Sequence, residues 1–322
     1  MSGLAVAGAG AFGTALAVAL ARGGAAVVLW ARDGDLARQI TATGSNARYL
    51  PGVRLPETVS VTAEFADLGG NGPVLLAVPM QALVGFLTSA APLLDGRALV
   101  ACCKGIDLAR HEGASALIAR ACPAATPALL TGPSFAADIA RGLPTALTLA
   151  CAEPGVGEQL QRDLSTRTLR LYRTTDVIGA ELGGALKNVI AIAAGIVIGA
   201  GLGDSARAAL MTRGYAEMLR LALPLGARAE TLAGLSGLGD LVLTCTSPQS
   251  RNFRFGQALG RGEPFEATVT VEGIATSRAV AALAGVHGLD LPITRMVAAV
   301  VDGAITIAAA IEALMSRPLK QE

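Results

Sequence analysis

Lysine is scarce in this chain. Only Lys104, Lys187 and Lys320 stand among 26 basic residues, and arginine supplies the rest of the positive charge. Histidine is scarcer still, with His111 and His287 alone, both in polar, loop-like stretches. That argues against a histidine metal site and against histidine as general base, so a proton-transferring enzyme built on this chain needs another donor, and lysine is the obvious candidate. The five cysteines, Cys102, Cys103, Cys122, Cys151 and Cys245, are odd in number and lack metal or disulfide spacing. They suit a reducing compartment, where cysteine packs as a small hydrophobe, and a cytoplasmic location is expected. Aromatics make up 3% and the formal net charge is +1, with no basic block interleaved with aromatics, so nucleic acid is not an expected partner. The richest apolar run, Val189 to Leu202, is shorter than a bilayer span and is broken by Gly195, Gly199 and Gly201. It reads as a buried helix. Residues 1–22 have no basic leader, and glycines at 8, 10 and 13 interrupt their apolar part, so no secretory signal is expected.

What is present points to two domains in 322 residues, 52% of them hydrophobic. The first stretch reads strand Leu4–Ala7, glycine turn Gly8-Ala9-Gly10-Ala11-Phe12-Gly13, helix Thr14–Arg22 and strand Val27–Trp30. Glycines at 8 and 10 allow a tight turn and close approach to a pyrophosphate, Gly13 allows close helix–strand packing, and the helix N-terminus offers N–H groups. The competing reading is a tight turn that binds nothing. Arg32, after the second strand, either suits the 2′-phosphate of NADP or is a solvated surface residue. Further strands are expected at Pro73–Val78, with a helix starting at Pro79, at Arg97–Cys103, Ala128–Thr131, Leu147–Ala150 and Leu169–Tyr172. Lys104 follows one of these strands at its carboxyl end, where open parallel sheets bind ligands. Gly132-Pro133-Ser134-Phe135-Ala136 reads as another helix entry, with Pro133 early in the helix and Ser134 either holding an anion or capping.

From about Thr174 the strand pattern gives way to helices, expected at 176–201, 204–223, 228–233, 250–260, 273–286, 293–301 and 304–315. The fold class is therefore α/β: a Rossmann-like dinucleotide-binding domain over 1–175, then an all-helical substrate and dimerisation domain over 176–322, joined around Arg173–Asp176. Lys187-Asn188 lies on the long helix after Gly183-Gly184, in the run ELGGALKNVIAIAAG. A lysine there either snorkels or sits desolvated, where its pKa falls and it can exchange a proton. Asp240, between glycines and LVLTC, either orients a lysine or substrate hydroxyl, or serves as a cap or turn former. Ser250-Arg251-Asn252 reads as a capped helix start able to hold a phosphate, while Arg254 belongs to a solvated face. Glu272 opens a further helix, where the dipole favours a carboxylate.

These motifs together resemble the bacterial NAD(P)-dependent glycerol-3-phosphate dehydrogenases along nearly the whole chain. The resemblance is carried by AVAGAGAFGTALA, CCKGID, TGPSFA, GGALKNV, GLGDLVLTC and SRNFRFG in that order. It implies reversible reduction of dihydroxyacetone phosphate to sn-glycerol 3-phosphate for glycerophospholipid synthesis, with NADP or NAD as cofactor, in a cytoplasmic homodimer. It assigns Lys187 as proton donor or acceptor, and Lys104, Asp240 and Asn252 to the polar end of the substrate. Gly132, Ser134, Ser250 and Arg251 line the substrate and phosphate region. Ala11, Phe12, Arg32, Lys104, Ala136, Arg251, Thr270 and Glu272 face the dinucleotide beside Gly8, Gly10 and Gly13. The chain departs from the family in four places. Ala11-Phe12 replaces a more usual Ser-Tyr or Ser-Trp, Ser134 a frequent Thr, and Ser205 a typical Asn, and the stretch from Gly262 to Thr270 is short. Two other readings are a dehydrogenase of the β-hydroxyacid or 6-phosphogluconate type and a non-catalytic dinucleotide-sensing module.

Overall fold

The computed structural model describes residues 3–267 and 269–318; Lys320 lies outside the described residues, as does Thr268 in the short stretch before Glu272. Along the chain come β1 (Leu4–Ala7), α1 (Ala11–Arg22), β2 (Val27–Trp30), α2 (Gly34–Thr43), β3 (Val59–Thr62), β4 (Val74–Leu76), α3 (Leu83–Leu94), β5 (Ala98–Ala101), α4 (Ala114–Ala121), β6 (Thr126–Thr131), α5 (Ala136–Arg141), β7 (Thr145–Cys151), α6 (Pro154–Leu164) and β8 (Leu169–Thr174). Then follow only helices: α7 (Val177–Gly199), α8 (Gly203–Ala222), α9 (Ala229–Ala233), α10 (Asp240–Thr246), α11 (Arg251–Arg261), α12 (Glu272–Val286), α13 (Pro292–Val301) and α14 (Ile307–Met315), with a π-turn at Leu235–Gly239.

The eight strands form one sheet in the order β3-β2-β1-β4-β5-β6-β7-β8. All pairs are parallel except β6 with β7. Strands such as LAVA and VLL are apolar throughout because helices cover both faces of a parallel sheet. On one face Leu16, Leu20, Ile40, Leu160 and Leu164 pack on Val6, Leu29, Leu75 and Leu130. On the other, Leu83, Phe86, Leu87, Leu117 and Ile118 pack on Leu76, Leu99 and Leu129.

The helices after β8 gather round α7. Its Val189, Ile190 and Ile192 share one core with Met218 and Leu221 of α8, Leu241 and Cys245 of α10, Phe253 of α11, Val280 of α12 and Ile293 of α13. A helix apolar on all sides must be buried on all sides. At 23 residues α7 is long and apolar enough to cross a bilayer, yet 89% of its apolar window is buried within the protein.

The structure redraws some expected edges. The chain divides into two compact units whose boundary runs between Glu181 and Leu182 inside α7, and Gly105–His111 goes with the second unit. Glu181 stays with the first because its carboxylate accepts from the Ser115 N–H and hydroxyl at 2.9 and 3.0 Å, satisfying the start of α4. Arg173 belongs to β8. β3, half-exposed and only four residues long, carries too weak an apolar signal to stand out in the sequence. After Pro79 a short 3-10 turn, Met80–Ala82, precedes α3.

Candidate active site

In the first unit the glycine turn is dictated by backbone crowding. Gly8 has φ +119°, and a β-carbon there would lie 2.7 Å from the Ala77 carbonyl oxygen. One at Gly13 would lie 2.0 Å from the Gly8 carbonyl oxygen. Gly10 differs: it is extended backbone at the N-cap of α1, and a β-carbon there would meet nothing within 4 Å. No side chain caps α1 and no acidic residue stands in its first turn, so the turn around Ala11 and Phe12 keeps N–H groups for an anion. An open cradle beside two positions that exclude a side chain fits a dinucleotide pyrophosphate. Asn46, not singled out in the sequence, is 1% exposed and donates to the Ala9 carbonyl and the Thr14 hydroxyl, both at 2.8 Å. It holds the turn from outside, and no spacing signals it.

Arg32 is exposed just past β2. The neighbouring Asp33 caps α2, accepting from the Asp35 and Leu36 N–H groups at 2.9 and 3.3 Å. The acidic residue at this strand end is thus engaged in its own helix and paired with Arg48, and Arg32 beside it is exposed.

Lys104 follows β5 and donates from Nζ to the Gly132 carbonyl at 3.0 Å. The Ser134 hydroxyl donates to the same oxygen at 3.2 Å. Ser134 is therefore not a helix cap: the N-cap of α5 is Phe135, Ala136 is its first residue, and Pro133 lies before the helix. The Thr131 hydroxyl, at the end of β6, is buried without a hydrogen-bond partner among the described residues. Cys102 is buried beside this group, and burial pushes its thiol up to about 12 against the opposing pull of Lys104, so it is no thiolate nucleophile.

In the second unit Lys187 is 7% exposed and Asp240 1%. Lys187 Nζ donates to Asp240 Oδ1 and to the Thr244 hydroxyl, both at 2.8 Å, and Thr244 donates to Asp240 Oδ1 at 3.1 Å. The lysine does not snorkel. It is desolvated as expected but also paired, and a carboxylate at this distance favours the charged amine that desolvation opposes. Asp240 is neither a turn former nor a side-chain cap; it is the first residue of α10 and points at the lysine. Thr244 was not among the expected residues, though its place four residues after Asp240 is a helical signal once α10 is known to be a helix. Cys245 is buried next to the pair, and burial holds its thiol up at about 12.

Asn252 links three helices. Its Nδ2 donates to the Asn188 side-chain oxygen and its Oδ1 accepts from the Gly273 N–H, both at 2.9 Å. Ser250 caps α11 by accepting from the Phe253 N–H at 3.2 Å, with Arg251 exposed at the first helical position. Thr270 is exposed, and Glu272 opens α12 next to the Gly273 that Asn252 holds.

The sheet order and the uncapped glycine turn define a doubly wound dinucleotide fold carrying a separate helical unit. The sequence matches the family description "NAD-dependent glycerol-3-phosphate dehydrogenase N-terminus" over residues 3–156 and its C-terminal counterpart over 176–312. It is 67% identical to a glycerol-3-phosphate dehydrogenase [NAD(P)+] of Cereibacter sphaeroides over 98% of both chains, and 63% identical to one of Paracoccus denitrificans over 99% of both. The crystal structure of glycerol-3-phosphate dehydrogenase from Coxiella burnetii superposes with a TM-score of 0.93 at 38% identity, covering 98% of this chain and 99% of that one. The chain belongs to the NAD-dependent glycerol-3-phosphate dehydrogenase family.

Proposed function

We propose that this protein reduces dihydroxyacetone phosphate to sn-glycerol 3-phosphate with NADPH or NADH, reversibly, and that it works as a cytoplasmic homodimer feeding glycerophospholipid synthesis. The observation that carries the reading is the buried Lys187–Asp240–Thr244 cluster. A nicotinamide held there would supply the hydride. Lys187 donates a hydrogen bond and then a proton to the ketone oxygen as charge develops there, and takes the proton back in the reverse direction. Asp240 and Thr244 both accept from the ammonium, which fixes the direction of the lysine side chain. Lys104 adds positive charge for the polar end of the substrate. Ser250 and Arg251, at the start of α11, take the phosphate, whose binding energy positions the reacting carbon. Gly8, Gly10 and Gly13 seat the pyrophosphate, and Arg32 the 2′-phosphate of NADPH. All five cysteines are free, as a reducing compartment requires.

Initial rates with dihydroxyacetone phosphate against each reduced cofactor test this reading. Saturable oxidation of NADPH or NADH is expected. Oxidation supported only by a β-hydroxyacid-type substrate panel, or by no keto substrate at all, would overturn it.

A further inference from the structure

The proposed chemistry depends on a 2.8 Å contact between residues on two different helices. That distance is held where the two backbones meet with no side chain between them. Gly183 lies one helical turn before Lys187 on the same face of α7. A β-carbon at 183 would sit 2.6 Å from the Ser236 carbonyl oxygen and 3.1 Å from Cα of Gly237. Gly237 is confined from its other side too, since a β-carbon there would lie 1.9 Å from the Leu232 carbonyl oxygen.

These contacts fall on the π-turn Leu235–Gly239. The Gly239 N–H donates to the Gly234 carbonyl at 3.0 Å, and the Asp240 N–H reaches back to Leu235. Leu238 of the turn and Val242 of α10 face outward, 40% and 45% exposed, while Asp240 and Thr244 face Lys187.

We infer that Gly183 and this π-turn form a positioning device: backbone contact between α7 and the turn sets where the Asp240 carboxylate meets Lys187. The inference rests on the catalytic reading of Lys187 given above. It extends that reading to residues that never touch substrate, because small misplacements of a reacting group lower turnover steeply.

A double-mutant cycle on the full-length protein tests it, with Gly183→Ala, Asp240→Asn and the combination compared for kcat, for KM toward dihydroxyacetone phosphate, and for Tm. Gly183→Ala is expected to lower kcat about 30-fold while KM stays within about threefold. Because the loss runs through Asp240, the same substitution on the Asp240→Asn background should lower kcat by less than about threefold. Equal fold-losses in both backgrounds would overturn the inference, as would undiminished kcat in Gly183→Ala. Ser236→Ala leaves the backbone in place and removes only the hydroxyl that donates to the Thr231 carbonyl at 3.2 Å. It is expected to lower kcat about threefold, again only while Asp240 is present, and decides the matter if Gly183→Ala does not fold. Unchanged kcat in Ser236→Ala, or a loss that persists with Asp240→Asn, would then overturn the inference. Full turnover in Asp240→Asn alone would overturn the catalytic reading itself, whatever the rest of the cycle shows.

Discussion

The two units build their functional groups from different materials. The sheet unit makes its cradle from main chain: Gly8 and Gly13 are there because carbonyl oxygens occupy the space of a side chain, and the helix N-terminus carries no side-chain cap. The helical unit makes its cluster from side chains on separate helices, Lys187 from α7 and Asp240 with Thr244 from α10. A main-chain site is written in a few consecutive residues and tolerates changes of side chain around it. A side-chain site depends on the packing that brings distant residues together, so it fails through chemistry and through geometry alike.

The contrast predicts that damage to the helical cluster shows in turnover and damage to the cradle shows in cofactor affinity. Lys187→Met should lower kcat about 10³-fold while dinucleotide binding, followed by fluorescence titration, persists. The same change removes the cation beside the buried Asp240 carboxylate, so a loss of about 3 kcal/mol in urea unfolding is expected. Near-native turnover would remove Lys187 from the mechanism. Gly13→Ala should weaken dinucleotide binding about 100-fold by calorimetry, because a methyl group there meets the Gly8 carbonyl. Tight binding in that variant would break the main-chain half of the comparison.

Smaller effects sharpen it. Arg32→Ser should raise KM for NADPH about tenfold and leave KM for NADH unchanged, since only the 2′-phosphate needs the guanidinium. Equal changes for both cofactors would show that Arg32 does not read the phosphate. Thr244→Val, nearly isosteric, should lower kcat about fivefold at constant KM, since it removes one partner of a buried ammonium.

The smallest effect concerns one glutamate in each unit, Glu181 half-buried and Glu217 buried. Glu181 holds the start of α4, and Glu217 accepts from the Ile293 and Thr294 N–H groups at 2.6 and 3.1 Å at the start of α13. Burial raises both carboxyls above the ordinary 4.5, and the hydrogen bonds they accept only partly oppose it. With the folded value above the unfolded one, their contribution to stability is fully present below about 4.5 and is lost as pH rises through the raised value. Glu217→Gln should therefore flatten the dependence of Tm on pH on the acid side of neutrality, by about 1–2 °C. An unaltered slope would show that burial does not govern this carboxyl.

Much of the sheet unit was legible from local pattern. Short apolar runs at Leu4–Ala7 and Val27–Trp30 became strands with those bounds, and the glycine turn between them needed only its own spacing. Where local pattern was weak the reading failed. β3 is half-exposed, and Ser134 looked like a cap because a hydroxyl before a helix usually is one. Asn252 reads from its own neighbours as part of a phosphate-holding helix start, yet both ends of its amide bind partners 64 and 21 residues away in the chain. Thr244 and the π-turn were missed for one reason: LVLTC is too short a run to reveal its helical phase, and a turn with one extra residue breaks the period on which that phase is judged.

By itself the sequence determined the α/β-then-helical order, the glycine turn and the unusual status of a lysine inside an apolar helix. Each follows from interactions among near neighbours, whose geometry is set by strand and helix periods. Only the tertiary structure decided that Lys187 is met by Asp240 and Thr244. Residues 53 and 57 positions further on reach it where α10 and α7 share one core, and no local periodicity encodes a contact between elements.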